Sequence, residues 1–101
     1  MNALQVMSAL AQASRFAAFR VLVDALPEGM ASSDIAAAID TTPNTMSAHL
    51  AILERAGLVS SEKIGRSVVY RAETSTAEGL SEFLAHACQR GRTARKRRPA
   101  A

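Results

Sequence analysis

A single cysteine, Cys88, stands among the 101 residues, so no disulfide can close within the chain and a disulfide-stapled secreted fold is excluded. No apolar run approaches the length of a membrane span. The opening Met1-Asn2-Ala3-Leu4-Gln5 lacks a basic segment ahead of an apolar one, so no secretory signal is read there. A cytoplasmic protein without membrane association is expected. Glycine-rich phosphate loops, a nucleophile beside a base in a recognised motif and convergent carboxylates are also missing, so an enzyme is not expected. With no internal repeat, the length gives one domain, near the size at which oligomerisation commonly adds stability.

Acidic residues are missing from the C-terminal segment. Arg90, Arg92, Arg95, Lys96, Arg97 and Arg98 hold six of the twelve basic residues, and all nine acidic residues precede them. Positions 1 to 89 therefore carry six basic against nine acidic residues, and the net +3 comes from the end of the chain. Residues 92–101 are expected to be a disordered basic tail that attracts phosphate without selecting sequence, attached to a single unit over 1–91.

What is present is mostly helical pattern. Residues 3–12 are rich in Ala and Leu, with high helix propensity. Ser14 is expected to cap a second helix from Arg15 to about Leu26, with Phe16, Phe19, Leu22, Val23 and Leu26 as its apolar stripe. Pro27-Glu28-Gly29 breaks the chain, and Ser32 or Ser33 is expected to cap a short third helix through Ile35, Ala36 and Ile39. Asp40-Thr41 forms a turn into the next helix, which completes a helix-turn-helix.

That next helix is the most informative segment. Thr42 can cap it, Pro43 suits the first helical position, and Gly57 can end it at positive φ. Met46, Leu50 and Leu53 fall on one face, leaving Asn44, Ser47 and Ala48 on the other. A small, polar, weakly charged outer face suits close approach to base edges in a major groove, whereas a solvated surface helix usually carries more Glu and Lys. Val59 to Ile64 and Ser67 to Arg71 then read as two strands joined at Gly65-Arg66, a hairpin wing with Lys63 and Arg66 near its tip, placed to meet phosphate or minor groove. A final helix from Ser75 or Thr76 to about Gln89 carries Leu80, Phe83, Leu84, Ala87 and Cys88. Little core remains for that stripe, so with the first helix it is expected to form a dimer surface. The fold class is mainly α with a small β-hairpin, a winged helix-turn-helix.

The order of pieces resembles the ArsR/SmtB group of winged-helix repressors. The matching residues are Leu10-Ala11, Ser14-Arg15, Phe19-Arg20-Val21-Leu22, Asp34-Ile35-Ala36, Asn44-Thr45-Met46-Ser47-Ala48-His49-Leu50, Leu53-Glu54-Arg55-Ala56-Gly57-Leu58-Val59 and Gly65-Arg66-Ser67-Val68-Val69-Tyr70. The resemblance implies a homodimer pairing through first and last helices, bound to double-stranded DNA at an inverted repeat and released by an inducer. It implies that Asn44, Ser47, Ala48 and His49 face bases or phosphates, with Thr45 near the backbone; with Thr42 at the start of the helix and Lys63 and Arg66 of the wing, these are the expected DNA-binding residues. His49 is read equally as a phosphate contact or a brace between the helix and the wing.

The sensing positions depart from that family. Ser32, Ser33 and Asp34 occupy the region where metal-sensing members carry paired cysteines, and Glu82 with His86 lacks a second pair. No metal and no cofactor are expected, and the inducer is unassigned. Cys88 is read as a packed interface thiol or, with His86 and Arg90 nearby, as a candidate thiol sensor. A winged-helix protein-interaction module and a repressor with no direct inducer are the alternatives.

Overall fold

The computed structural model describes residues 1–97, with side chains described through Arg92. Its elements run α1 (Ala3–Leu10), α2 (Ala13–Asp24), β1 (Met30–Ala31), α3 (Ser32–Ala38), α4 (Pro43–Arg55), β2 (Val59–Ile64), β3 (Ser67–Ala72) and α5 (Thr74–Arg97). No single described helix is long and apolar enough to cross a membrane.

Capping explains most boundaries. The Asn2 side chain accepts from the Gln5 amide and starts α1. Helix α2 begins earlier than expected. Gln12, and not Ser14, is its cap, accepting from the Arg15 amide through Oε1 at 2.9 Å, and Ser14 lies inside the first turn. The expected serine cap of α3 is also corrected: Ala31 occupies the cap position with no side-chain bond, because Met30 and Ala31 are drawn into a strand. Asp40 turns the chain toward α4 with φ 53°, a left-handed conformation that Asp tolerates better than most side chains.

Helix α4 forms as its sequence dictates. Thr42 caps it, accepting from the Thr45 amide, and Pro43 takes the first turn. Gly57 follows at φ 79°, which turns the chain into β2. The hairpin pairs in antiparallel register from Val59 with Ala72 to Ile64 with Ser67, closing on Gly65-Arg66. Beyond the expected hairpin there is a third strand: Met30 and Ala31 pair with Tyr70 and Val69, giving the order β1-β3-β2. Gly29, at φ 81°, permits this pairing, since a Cβ there would lie 2.5 Å from the Tyr70 carbonyl oxygen.

The core gathers where the helices and the base of the sheet meet. Leu22, Ile35, Met46, Leu50, Leu53 and Leu58 have no solvent exposure. Burying each such side chain contributes about 1.5–3 kcal/mol before entropy is counted. Three residues of α4 belong to this set, so its inner face is fixed by the core and its outer face is left free. In α2, Phe19 and Leu22 are buried, but Phe16, Val23 and Leu26 of the expected stripe stay substantially exposed.

Helix α5 starts against the end of α4. The Glu73 amide donates to Leu58 O, and Thr76 Oγ1 donates to Gly57 O at 2.6 Å. Leu80 is buried, and every residue from Ser81 to Arg92 is exposed. The helix continues to Arg97, past the expected end near Gln89 and through the first part of the expected disordered tail. Residues 98–101 of that tail lie outside the described residues. The long projecting helix gives the molecule an extent of 66 Å against 22 and 20 Å on its other axes.

Candidate nucleic-acid interface

The sequence-predicted contact residues come together on one helix and one hairpin. Thr42, Asn44, Thr45, Ser47 and Ala48 are all exposed at the N-terminal end and outer face of α4. Thr42 Oγ1 donates to Thr45 Oγ1 at 2.8 Å and accepts from the Thr45 amide at 3.3 Å, so these two hydroxyls are oriented by each other. This first turn lies at the positive end of the helix dipole, which favours an anion such as phosphate. Asn44 supplies both donor and acceptor groups, and Ser47 with Ala48 keeps the face low.

Polar contacts hold this helix from the sides. Glu54 Oε2 accepts from Ser61 Oγ at 2.7 Å, joining the last turn of α4 to β2. On the other side, His49 Nδ1 lies 3.4 Å from Arg15 Nη1. His49 is half-buried. Of the two readings given for His49, the brace is seen with a different partner: the contact is to the start of α2 and not to the wing. Tyr70 is half-buried in β3, and its phenol is pushed above the usual value, first by burial and then by the negative charge of Glu54.

Lys63 and Arg66 are exposed at the hairpin end, and Ile64 is 48% exposed beside them. Arg71, in contrast, does not present its charge freely. Its Nη1 pairs with Glu62 at 2.8 Å, and its Nε donates to Pro27 O at 3.2 Å, which ties β3 to the segment ahead of β1. The wing's cationic character thus rests on Lys63 and Arg66. The residue that sequence reasoning missed is Arg15: it was visible in the Ser14-Arg15 pair, but its partner lies 34 positions away.

Cys88 is exposed on α5. Among the described residues, no group of three or more His, Cys, Asp or Glu side chains is placed to hold a metal ion.

Comparisons with known proteins agree with this geometry. A helix-turn-helix domain family model matches residues 10–62, from the end of α1 into β2. Over 81 residues the chain is 32% identical to the uncharacterized HTH-type transcriptional regulator YbzH of Bacillus subtilis, covering 80% of this chain and 81% of that protein. The winged helix-turn-helix DNA-binding domain of Mb0332 from Mycobacterium bovis, a homodimer described as a possible ArsR-family regulator, is 28% identical. It superposes with a TM-score of 0.66, covering 85% of this chain and 78% of that one. An ArsR-like transcriptional regulator from Rhodococcus sp. RHA1, 24% identical with a TM-score of 0.70, covers 98% of this chain and 94% of its own, and so shares the fold along nearly the whole length. With the wing, the reading helix and the order of elements all accounted for, the chain belongs to the ArsR family of winged helix-turn-helix transcriptional regulators.

Proposed function

We propose that the protein is a homodimeric repressor that binds an inverted-repeat operator in double-stranded DNA and is released by an inducer or a redox signal. The division of α4 carries this reading: Met46, Leu50 and Leu53 are completely buried, while Thr42, Asn44, Thr45, Ser47 and Ala48 are exposed. That arrangement gives the helix a rigid back and a small polar front that fits a major groove. Lys63 and Arg66 of the wing add phosphate or minor-groove contacts. The basic end of the chain raises affinity for any DNA through counterion release.

Dimerisation rests on apolar surface that the monomer leaves open. Met1 ahead of α1 is 65% exposed and Leu4 within it 76%, while Phe83 at 52% and Leu84 at 44% are exposed on α5, along which a groove of about 510 Å³ is lined by Gly79, Glu82, Phe83, His86, Ala87 and Arg90. A second copy covers this surface and sets two α4 helices toward half-sites about one DNA turn apart, on the order of 34 Å. The two copies of Cys88 then offer a redox-sensitive disulfide or a two-coordinate soft-ion site.

Selection of bound sequences from a random DNA pool tests the reading, run with reduced protein, oxidised protein, added zinc and added trivalent arsenic. A palindrome enriched under only some conditions supports both regulator and signal, and Cys88→Ser then identifies the thiol. A palindrome under every condition supports a repressor with no direct inducer among those tried. Absence of any enriched sequence points to a protein-interaction module.

A further inference from the structure

We propose that Arg15 is a positioning residue for DNA reading: it fixes the ring of His49 with Nδ1 as acceptor, so that the recognition helix offers Nε2–H as a fixed neutral donor. The specificity part of this inference rests on the DNA-binding function proposed above.

Arg15 is held at the junction of three helices. Its amide is bonded to the Gln12 cap, its Nε donates to Ala9 O at 2.7 Å, and its Nη2 donates to Ser8 O at 3.4 Å. Ala9 and Ser8 lie in the last turn of α1, at the negative end of its dipole, where the Ser8 carbonyl also accepts from the Ala11 amide. The guanidinium is thus a cap for α1, and these bonds leave Nη1 directed at His49.

Guanidinium is always protonated and can only donate. His49 Nδ1, at 3.4 Å, must therefore accept, which leaves the ring proton of the neutral imidazole on Nε2. The two ring nitrogens point to different sides, so fixing one against Arg15 directs the other away from it. His49 stands one residue after Ala48 and four after Thr45, both exposed on the front of the helix. A ring free to exchange tautomers would offer a donor or an acceptor at that point; the Arg15 contact selects the donor, which suits a phosphate oxygen or a base acceptor.

Nitrogen NMR of the imidazoles in the free full-length protein at about pH 8, where an ordinary imidazole is neutral, reads the tautomer directly. The chain has two histidines, and exposed His86 serves as the internal reference. The expected result is a single Nε2–H form for His49 in the wild type and a mixture in Arg15→Met. On DNA, the ratio of operator to scrambled-duplex affinity falls about ten-fold in Arg15→Met and in His49→Ala, with no further fall in the double variant. A merely structural staple would lower thermal stability and both affinities together and leave that ratio unchanged, which overturns the proposal. A mixed or Nδ1–H form in the wild type overturns it even if Arg15→Met fails to fold. A wild type that shows the Nε2–H form yet prefers no DNA sequence refutes the DNA-reading function and keeps the ring-fixing role.

Discussion

Ser61 Oγ donates a 2.7 Å hydrogen bond to Glu54 Oε2, and the same carboxylate raises the pKa of Tyr70 from the neighbouring strand. One acidic side chain in the last turn of the recognition helix therefore both anchors the wing and biases a phenol. Burial is the larger cause of the Tyr70 shift, and Glu54 the second. Folding favours the neutral phenol, so this contribution to stability is complete below the ordinary tyrosine value of about 10 and is lost as pH rises through the higher folded value. Tyr70 is the only tyrosine and there is no tryptophan, which makes phenolate absorbance a clean probe. Glu54→Gln, which keeps an acceptor for Ser61 and removes the charge, is expected to lower the titration midpoint while leaving it above that of the unfolded chain.

Gly29→Ala is expected to destabilise the fold by at least about 2 kcal/mol, combining a left-handed backbone with a steric conflict. The added methyl would sit 2.5 Å from Tyr70 O and 2.7 Å from Arg71 Cγ, at φ 81°. Denaturant unfolding measures the loss, and an unchanged midpoint would mean that β1 is dispensable for stability.

Ser47→Glu is expected to lower operator affinity about a hundred-fold while leaving dimer mass and thermal stability unchanged, because the site is exposed and each base-edge contact is worth on the order of 1–3 kcal/mol. Electrophoretic mobility shift and size-exclusion chromatography give the two readouts. Retained operator affinity would place DNA reading on another element.

Removing residues 92–101 is expected to weaken binding to all duplexes and to flatten the dependence of affinity on salt, by a slope of up to about one unit per lost phosphate contact. Titrations at several salt concentrations measure this. A change in which sequence is preferred would give the basic segment a role in selection.

Much of this fold could be read from single residues that answer a single backbone need. Thr42-Pro43 marks where α4 begins, Gly57 where it turns away, and Gly65-Arg66 where the hairpin closes. The inner stripe of Met46, Leu50 and Leu53 is equally plain, because helical period alone selects it. Competing signals hid the rest. Gln12 and Ser14 both carry side-chain acceptors, and only the path of the chain shows which one meets the Arg15 amide. Met30-Ala31 is too short for alternation to declare a strand. The arginines after Gln89 read as a charge run, although Arg, Ala and Lys are strong helix formers and carry α5 to Arg97. The Arg15–His49 contact depends on the packing of α2 against α4, which no local pattern encodes.

Because α5 is seated only over its first turns, it works as a lever with its fulcrum near Leu80. From there to Arg97 the arm is about 26 Å long, and ten degrees of tilt swings its tip by about 4 Å, more than one base-pair rise. In the proposed dimer, a small change in how two such arms cross would be magnified into a mismatch of register on DNA. A signal of the kind proposed, acting on that seam, would need to deliver only a slight rotation, with no deep pocket required.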